Sequence, residues 1–159
     1  AHGGNVGLLD VVARDLRTRL GMLVYSVNSF NLPLVDERGD SVAAQFSAHE
    51  HRFGIHAGEM ETSMMLALQP GQVDMAKAQN FHSTSQDRSE KFSILGDGRS
   101  AKLGWQMQDY NPHGAVGNAA AATAEKGHAL LGAMGRSLAQ LLAEMDQLPA
   151  DTLRDCTAL

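Results

Sequence analysis

The chain has 159 residues, enough for one domain with a core of its own. Hydrophobic residues make up 43% and charged residues 19%, the mix of a soluble globular chain. A formal net charge of -5 argues against a nucleic-acid groove, which needs clustered Lys and Arg to neutralise phosphates. Cys156 is the single cysteine, so no intrachain disulfide forms, and a cytoplasmic, reducing setting is the simpler expectation. No apolar run approaches the roughly 18 residues of a membrane span, and no secretory signal opens the chain. The first residues, Ala1-His2-Gly3-Gly4-Asn5, form a Gly-rich turn feeding straight into a helical pattern. In α/β proteins such a turn follows a strand, so an N-terminal portion is expected to lie outside this sequence.

Apolar residues at Leu8, Leu9, Val12, Leu16 and Leu20 recur at helical spacing, with Asn5 as N-cap and Gly21 as stop. Met22 to Val27 is a short apolar, β-branched run and predicts a buried strand. Turn, helix and strand in that order suit an α/β sheet. Asn28 to His51 reads mostly as loop, with a short helical turn over Ser41 to Phe46. Met60 to Leu68 reads as a helix closed by Pro70. The polar stretch from Phe81 to Ser100 has few apolar anchors and belongs on the surface. Trp105 to Asp109 reads as a short strand and Tyr110 to Asn118 as a turn-rich loop. The longest helix is expected from Ala119 to about Met145. Its buried stripe would be Ala120, Ala124, Gly127, Leu131, Met134, Leu138, Leu141 and Met145. Gly127 points to close packing against a neighbour. Residues 1–148 are expected to form one portion of a domain, and 149–159 a tail beginning at Pro149.

Seven histidines are the first candidates for chemistry. His2 sits in the Gly-rich turn, where a side chain can project from the end of a strand as a metal ligand; the plain alternative is a residue at a frayed chain start. His56-Ala57-Gly58-Glu59-Met60-Glu61-Thr62-Ser63 is the second candidate. His56 and Glu59 are three apart and would share a helical face, with Glu61 directed elsewhere. The helix dipole favours an ionised Glu59, ready to bind a cation, and His56 could ligate or shuttle protons. The alternative is an ordinary acidic first turn beside a surface histidine. His49 and His51 alternate as on one strand face, His82 lies in a Ser-rich polar stretch, His113 in a Gly-rich loop and His128 on the long helix. None of these five has a partner motif. No Gly-x-Ser-x-Gly elbow and no phosphate-binding Gly-rich loop is present, and Cys156 has no nearby base.

Three stretches together resemble the creatininase (creatinine amidohydrolase) family. His2-Gly3-Gly4-Asn5 is similar to the family's Asn-Gly-His-Gly-Gly-Asn turn. His56-Ala57-Gly58-Glu59-Met60-Glu61-Thr62-Ser63 is similar to its His-Ala-Gly-x-x-Glu-Thr-Ser block. Gly114-Ala115-Val116-Gly117-Asn118 with Ala122-Thr123-Ala124-Glu125-Lys126-Gly127 is similar to its Gly-Val-x-Gly loop entering the last helix. The resemblance runs along nearly the whole chain. It implies a three-layer α/β/α sandwich, present here in part, and hydrolysis of an amide C–N bond by a metal-activated water. It further implies a pair of divalent metal ions (zinc, manganese or iron), a small-molecule amide substrate, and a homo-oligomer such as a hexamer, with neither nucleic acid nor membrane as partner. By position it makes His2 and Glu59 metal ligands, His56 the residue handling protons at the leaving nitrogen, and Glu61 its support.

The sequence departs from the family's pattern in two places. Gly4 stands where creatininase proper has a ligand glutamate, and Glu59 could replace that carboxylate, as in relatives acting on other amides. Asn118 and Ala119 stand where many relatives have Asp and Pro. The family's upstream ligands, a Glu-x-His-Gly block and a following Asp, have no counterpart in this sequence. A catalytically incomplete fragment or assembly module of the same fold is therefore the rival expectation.

Overall fold

The computed structural model describes residues 3–154, so His2 and Cys156 lie outside the described residues. The chain divides into two compact units, Val35–Gly132 and a second made of Ala1–Leu34 with Ala133–Leu159. The helices are α1 (Val6–Leu20), α2 (Ala48–Phe53), α3 (Glu59–Leu68), α4 (Thr84–Lys91) and α5 (Ala124–Asp146), and the strands are β1 (Asn80–Phe81) and β2 (Gly117–Asn118). The boundary between the units falls within α5.

In the unit that contains the N-terminal segment, α1 forms where the apolar spacing predicts it. Gly21 ends it at φ 65°, a left-handed position that glycine adopts without penalty. Asn5 precedes the helix, but its side chain caps no backbone group. None of α1's residues is buried: Leu8 is 65% and Val11 62% exposed. Charged pairs one turn apart, Asp10–Arg14 and Asp15–Arg19, lie along the helix, and Arg17 donates to the Arg154 carbonyl oxygen at 2.7 Å. Met22 to Val27, expected as a buried strand, is not one. The segment pairs with no strand among the described residues, and Met22, Tyr25 and Val27 are exposed. Hydrophobic, β-branched composition favours a strand only when a neighbouring ladder takes up its N–H and C=O groups.

Within Val35–Gly132 the only ladder among the described residues is the antiparallel β1–β2 pair, Asn80 opposite Asn118 and Phe81 opposite Gly117. An isolated bridge joins His56 to Val116 and another joins Val35 to Ser41. The turn expected at Ser41 to Phe46 is a 3-10 stretch over Val42–Gln45. The loop expected to run to His51 contains a helix instead. Ser47 caps α2 by accepting the Glu50 N–H at 3.0 Å, so His49 and His51 lie on a helix rather than on a strand face. The polar stretch after Phe81 likewise holds α4, capped by Ser83, whose side chain accepts the Ser85 N–H. Trp105 to Asp109 is not a strand. Gln106 and Asp109 form a capping box over the 3-10 turn Met107–Asp109, which commits those backbone donors locally.

Helix α5 starts at Ala124, after a 3-10 turn over Ala119–Ala121. Its fully buried positions are Leu130 and Ala133, whereas Leu138 of the expected stripe is exposed. Gly127 is buried and lies so close to the Ser63 carbonyl of α3 that a Cβ there would penetrate it. That contact matches the close packing its sequence position suggests. The core around it comprises Val42, Phe46, Val116, Ala119, Ala122 and Leu130, with buried Glu50, Glu59, Ser63 and Ser83. No described helix is long and apolar enough to cross a membrane.

Candidate functional site

The His56–Ser63 block is held by backbone pairing with Val116 and by two of its own side chains. The His56 N–H donates to the Val116 carbonyl at 3.3 Å, and the Val116 N–H returns to the His56 carbonyl at 2.7 Å. Ala57 then takes φ 52°, an uncommon value for a residue with a Cβ. The reversed backbone aims the Ala57 N–H at Glu61, which accepts it through Oε2 at 2.7 Å. The Thr62 hydroxyl donates to the Ala57 carbonyl at 3.2 Å. One strained residue is thus held by two side chains from the first turn of α3.

This geometry reverses the pairing that spacing suggests. His56 precedes α3, so the three-residue helical relation to Glu59 does not apply. Its Nδ1 lies 3.3 Å from Glu61 Oε2, and both side chains remain accessible, 48% for His56 and 37% for Glu61. The same Glu61 Oε2 that accepts the Ala57 N–H is thus the oxygen beside the imidazole. Glu59 faces the interior: it is 5% exposed and forms an ion pair with the Lys126 ammonium. Ser63, fully buried, accepts the Thr123 N–H at 3.2 Å and so ties α3 to the start of α5.

Two residues in this region were not legible as functional. Glu50 is 3% exposed, and its carboxylate accepts the Glu59 N–H at 2.6 Å through Oε1 and the Asn118 N–H at 2.9 Å through Oε2. It clamps the start of α3 to β2. Gly54, Gly58 and Gly117 all crowd this carboxylate, and Gly117, at φ 126°, brings its backbone close to Gly58. The serine three residues before Glu50 was an available capping signal for α2. Lys126 had no such signal: its ammonium also donates to the Ala121 carbonyl at 3.1 Å and lies 5.8 Å from the Phe46 ring centre.

The remaining histidines stand apart from this arrangement. His51 Nε2 is 2.8 Å from the Ala43 carbonyl, His82 Nε2 is 2.8 Å from Asp87, and the rings of His49 and His113 lie tilted against Phe53 and Phe81. His128 is exposed on α5. Among the described residues no group of three or more His, Cys, Asp or Glu side chains could hold a metal ion. With the Glu59 carboxylate already in an ion pair, the described donors do not by themselves fit the dinuclear metal site that the sequence resemblance implies.

Comparison with solved structures places this fold. A Bacteroides fragilis protein provisionally assigned as a creatinine amidohydrolase matches with 29% identity and a TM-score of 0.65, over 94% of this chain and 53% of that one. A tryptophan-to-phenylalanine mutant creatininase matches with 21% identity and a TM-score of 0.55, over 87% of this chain and 50% of that one. A glutamate-to-glutamine mutant creatininase complexed with creatine matches with 22% identity and a TM-score of 0.53, over 87% of this chain and 50% of that one. The chain therefore carries part of a creatininase fold, as its motifs predict, and spans about half the length of these relatives. No curated protein gives a significant match. The family described as creatinine amidohydrolase matches residues 1–142, and the chain belongs to this creatininase family, whose members are metal-dependent amidohydrolases.

Proposed function

We propose that this chain contributes to a cytoplasmic amidohydrolase that cleaves an amide C–N bond of a small molecule: a cyclic amide, a formamide or a peptide-like bond. The observation that carries the reading is the accessible His56–Glu61 pair in a chain of this family. Glu61, beside the imidazole, orients it. His56 Nε2 then takes the proton of the attacking water and returns it to the leaving nitrogen. The strained Ala57 fixes the ring's position relative to α3. His2 and Glu59 are the ligands this chain would contribute to two divalent metal ions, zinc, manganese or iron. Bound metals of this kind supply a hydroxide at neutral pH and polarise the carbonyl. The described residues do not form that site alone, so further donors must come from outside them. A homo-oligomer, for instance a hexamer, is the assembly we propose.

The test is chelator-sensitive amide hydrolysis by the protein carrying this chain. His56→Ala and Glu61→Gln should each lower kcat by about 10²- to 10⁴-fold, the usual contribution of a positioned acid–base group. Equal rates in wild type and both variants would sink the assignment. The lack of a three-donor cluster among the described residues supports a second reading, a catalytically incomplete fragment or assembly module. It expects no hydrolysis in the wild type to begin with.

A further inference from the structure

The Glu50 clamp lies between the two segments that carry the accessible His56–Glu61 pair. Its Oε1 accepts the Glu59 N–H at 2.6 Å, two residues before Glu61 in the first turn of α3. Its Oε2 accepts the Asn118 N–H at 2.9 Å, two residues after Val116, whose N–H and carbonyl hold the backbone of His56. One buried side chain thus bonds both the helix that bears Glu61 and the segment against which His56 is pinned. Resting on the reading of His56 and Glu61 as the proton-handling pair, we propose that Glu50 is a positioning residue for that pair: it acts from the interior and sets where the imidazole stands relative to Glu61.

The surroundings hold this carboxylate in one place. Glu50 is buried on α2, whose start is fixed by the Ser47 cap. A Cβ at Gly54, Gly58 or Gly117 would run into the Glu50 side chain, so three glycines leave the room it fills. Gly117 also needs to be glycine for its φ of 126°, whereas Gly58, at φ -80°, does not. The space at Gly58 is therefore taken by packing and is not demanded by backbone conformation. The pair depends on such support. Ala57 is strained at φ 52°, and Glu61 Oε2 both accepts its N–H and lies 3.3 Å from His56 Nδ1. Losing either bond of the clamp frees one partner of this contact to move without the other. A displacement of about 1 Å in a reacting group lowers a rate by up to about 10²-fold.

The experiment uses the protein carrying this chain and two variants that disturb the clamp in different ways. Glu50→Gln keeps one acceptor oxygen and turns an amide N–H₂ toward the other backbone donor. Gly58→Ala removes no polar group and drives its methyl into the Glu50 carboxylate. Steady-state amide hydrolysis gives kcat and KM. Amide hydrogen exchange compares the Ala57 N–H, which reports the bond to Glu61, with the N–H of buried Leu130 inside α5. Each variant should lower kcat by about 10- to 100-fold with KM nearly unchanged, and speed Ala57 exchange relative to Leu130. The double variant should lose no more than the worse single one, because both act through one carboxylate. Ser83→Ala, which uncaps α4 in the same unit, should lower Tm and move neither kcat nor the exchange ratio. Wild-type kcat in both clamp variants overturns the proposal, as does a lost rate with the exchange ratio unchanged, or additive losses in the double variant. Should the wild type hydrolyse no amide, the reaction assigned to the pair falls. The exchange ratio then decides alone whether Glu50 sets the pair's geometry: faster Ala57 exchange supports it and an unchanged ratio overturns it. If Glu50→Gln does not fold, Gly58→Ala carries the same test.

Discussion

The two units of this chain use similar apolar residues to different ends. In Val35–Gly132, small aliphatic side chains pack around a buried polar frame in which Glu50, Ser63 and Ser83 each accept backbone N–H groups. In the other unit, α1 has apolar residues at regular helical spacing and buries none of them. Apolar periodicity marks the longer helices, α1, α3 and α5. What distinguishes the first unit is that two of these acceptors reach backbone donors far away in sequence, as Glu50 reaches Asn118 and Ser63 reaches Thr123. Such bonds fix how segments meet; an amphipathic face alone fixes only which side wants a neighbour.

The sharpest way to break this contrast is to remove the clamp. Glu50→Ala leaves the Glu59 and Asn118 N–H groups without their acceptor in a buried site, and opens a void between Gly54, Gly58 and Gly117. Hydrogen bonds to a charged group contribute about 1.5–3 kcal/mol each, so a loss of about 3–5 kcal/mol is expected in urea unfolding. Glu50→Gln keeps one acceptor oxygen and should lose less. A Glu50→Ala variant within 1 kcal/mol of wild type would mean that the frame is incidental to the unit's stability.

What sequence conveyed and what it withheld follow from the same difference. Helices α1, α3 and α5 were legible because their apolar spacing repeats over several turns, and the His56–Ser63 block was legible as a motif. Helices α2 and α4 were missed because each is short and polar and owes its start to a serine cap. The Met22 to Val27 strand was overcalled, since composition states a preference and pairing decides the outcome. Within the site, the His56–Glu61 pair escaped a spacing argument because the chain reverses at Ala57, before the helix begins. Lys126 was invisible because its partner Glu59 lies 67 residues away.

A milder test sharpens the contrast from the other side. Leu8 and Val11 are among the most exposed apolar residues of α1. Leu8→Lys and Val11→Lys remove no buried contact, so each should change stability by less than about 0.5 kcal/mol, as surface substitutions do. Their effect is read from the midpoint of chemical unfolding at unchanged slope. A loss several times larger in either variant would show that α1 is covered in solution, and that the two units differ less than their burial suggests.

The smallest effect belongs to Asp97, an exposed residue in a turn of the polar-framed unit. Its carboxylate accepts the Ser100 hydroxyl and the backbone N–H groups of Arg99 at 2.7 Å and Ser100 at 2.9 Å. The Ser100 hydroxyl, followed by these backbone donors, lowers the Asp97 pKa from 3.8 to about 2. Because the folded-state value is depressed, the turn's contribution is complete above pH 3.8 and is lost as pH falls through about 2. A carbon-13 titration of the Asp97 carboxyl should therefore find its midpoint near 2, and Asp97→Asn should remove that midpoint while barely moving stability at neutral pH. The same donor pattern that locks Glu50 in the interior is here fully accessible to water. An ordinary midpoint for Asp97 would mean that backbone N–H groups order a carboxylate only where burial excludes competing solvent.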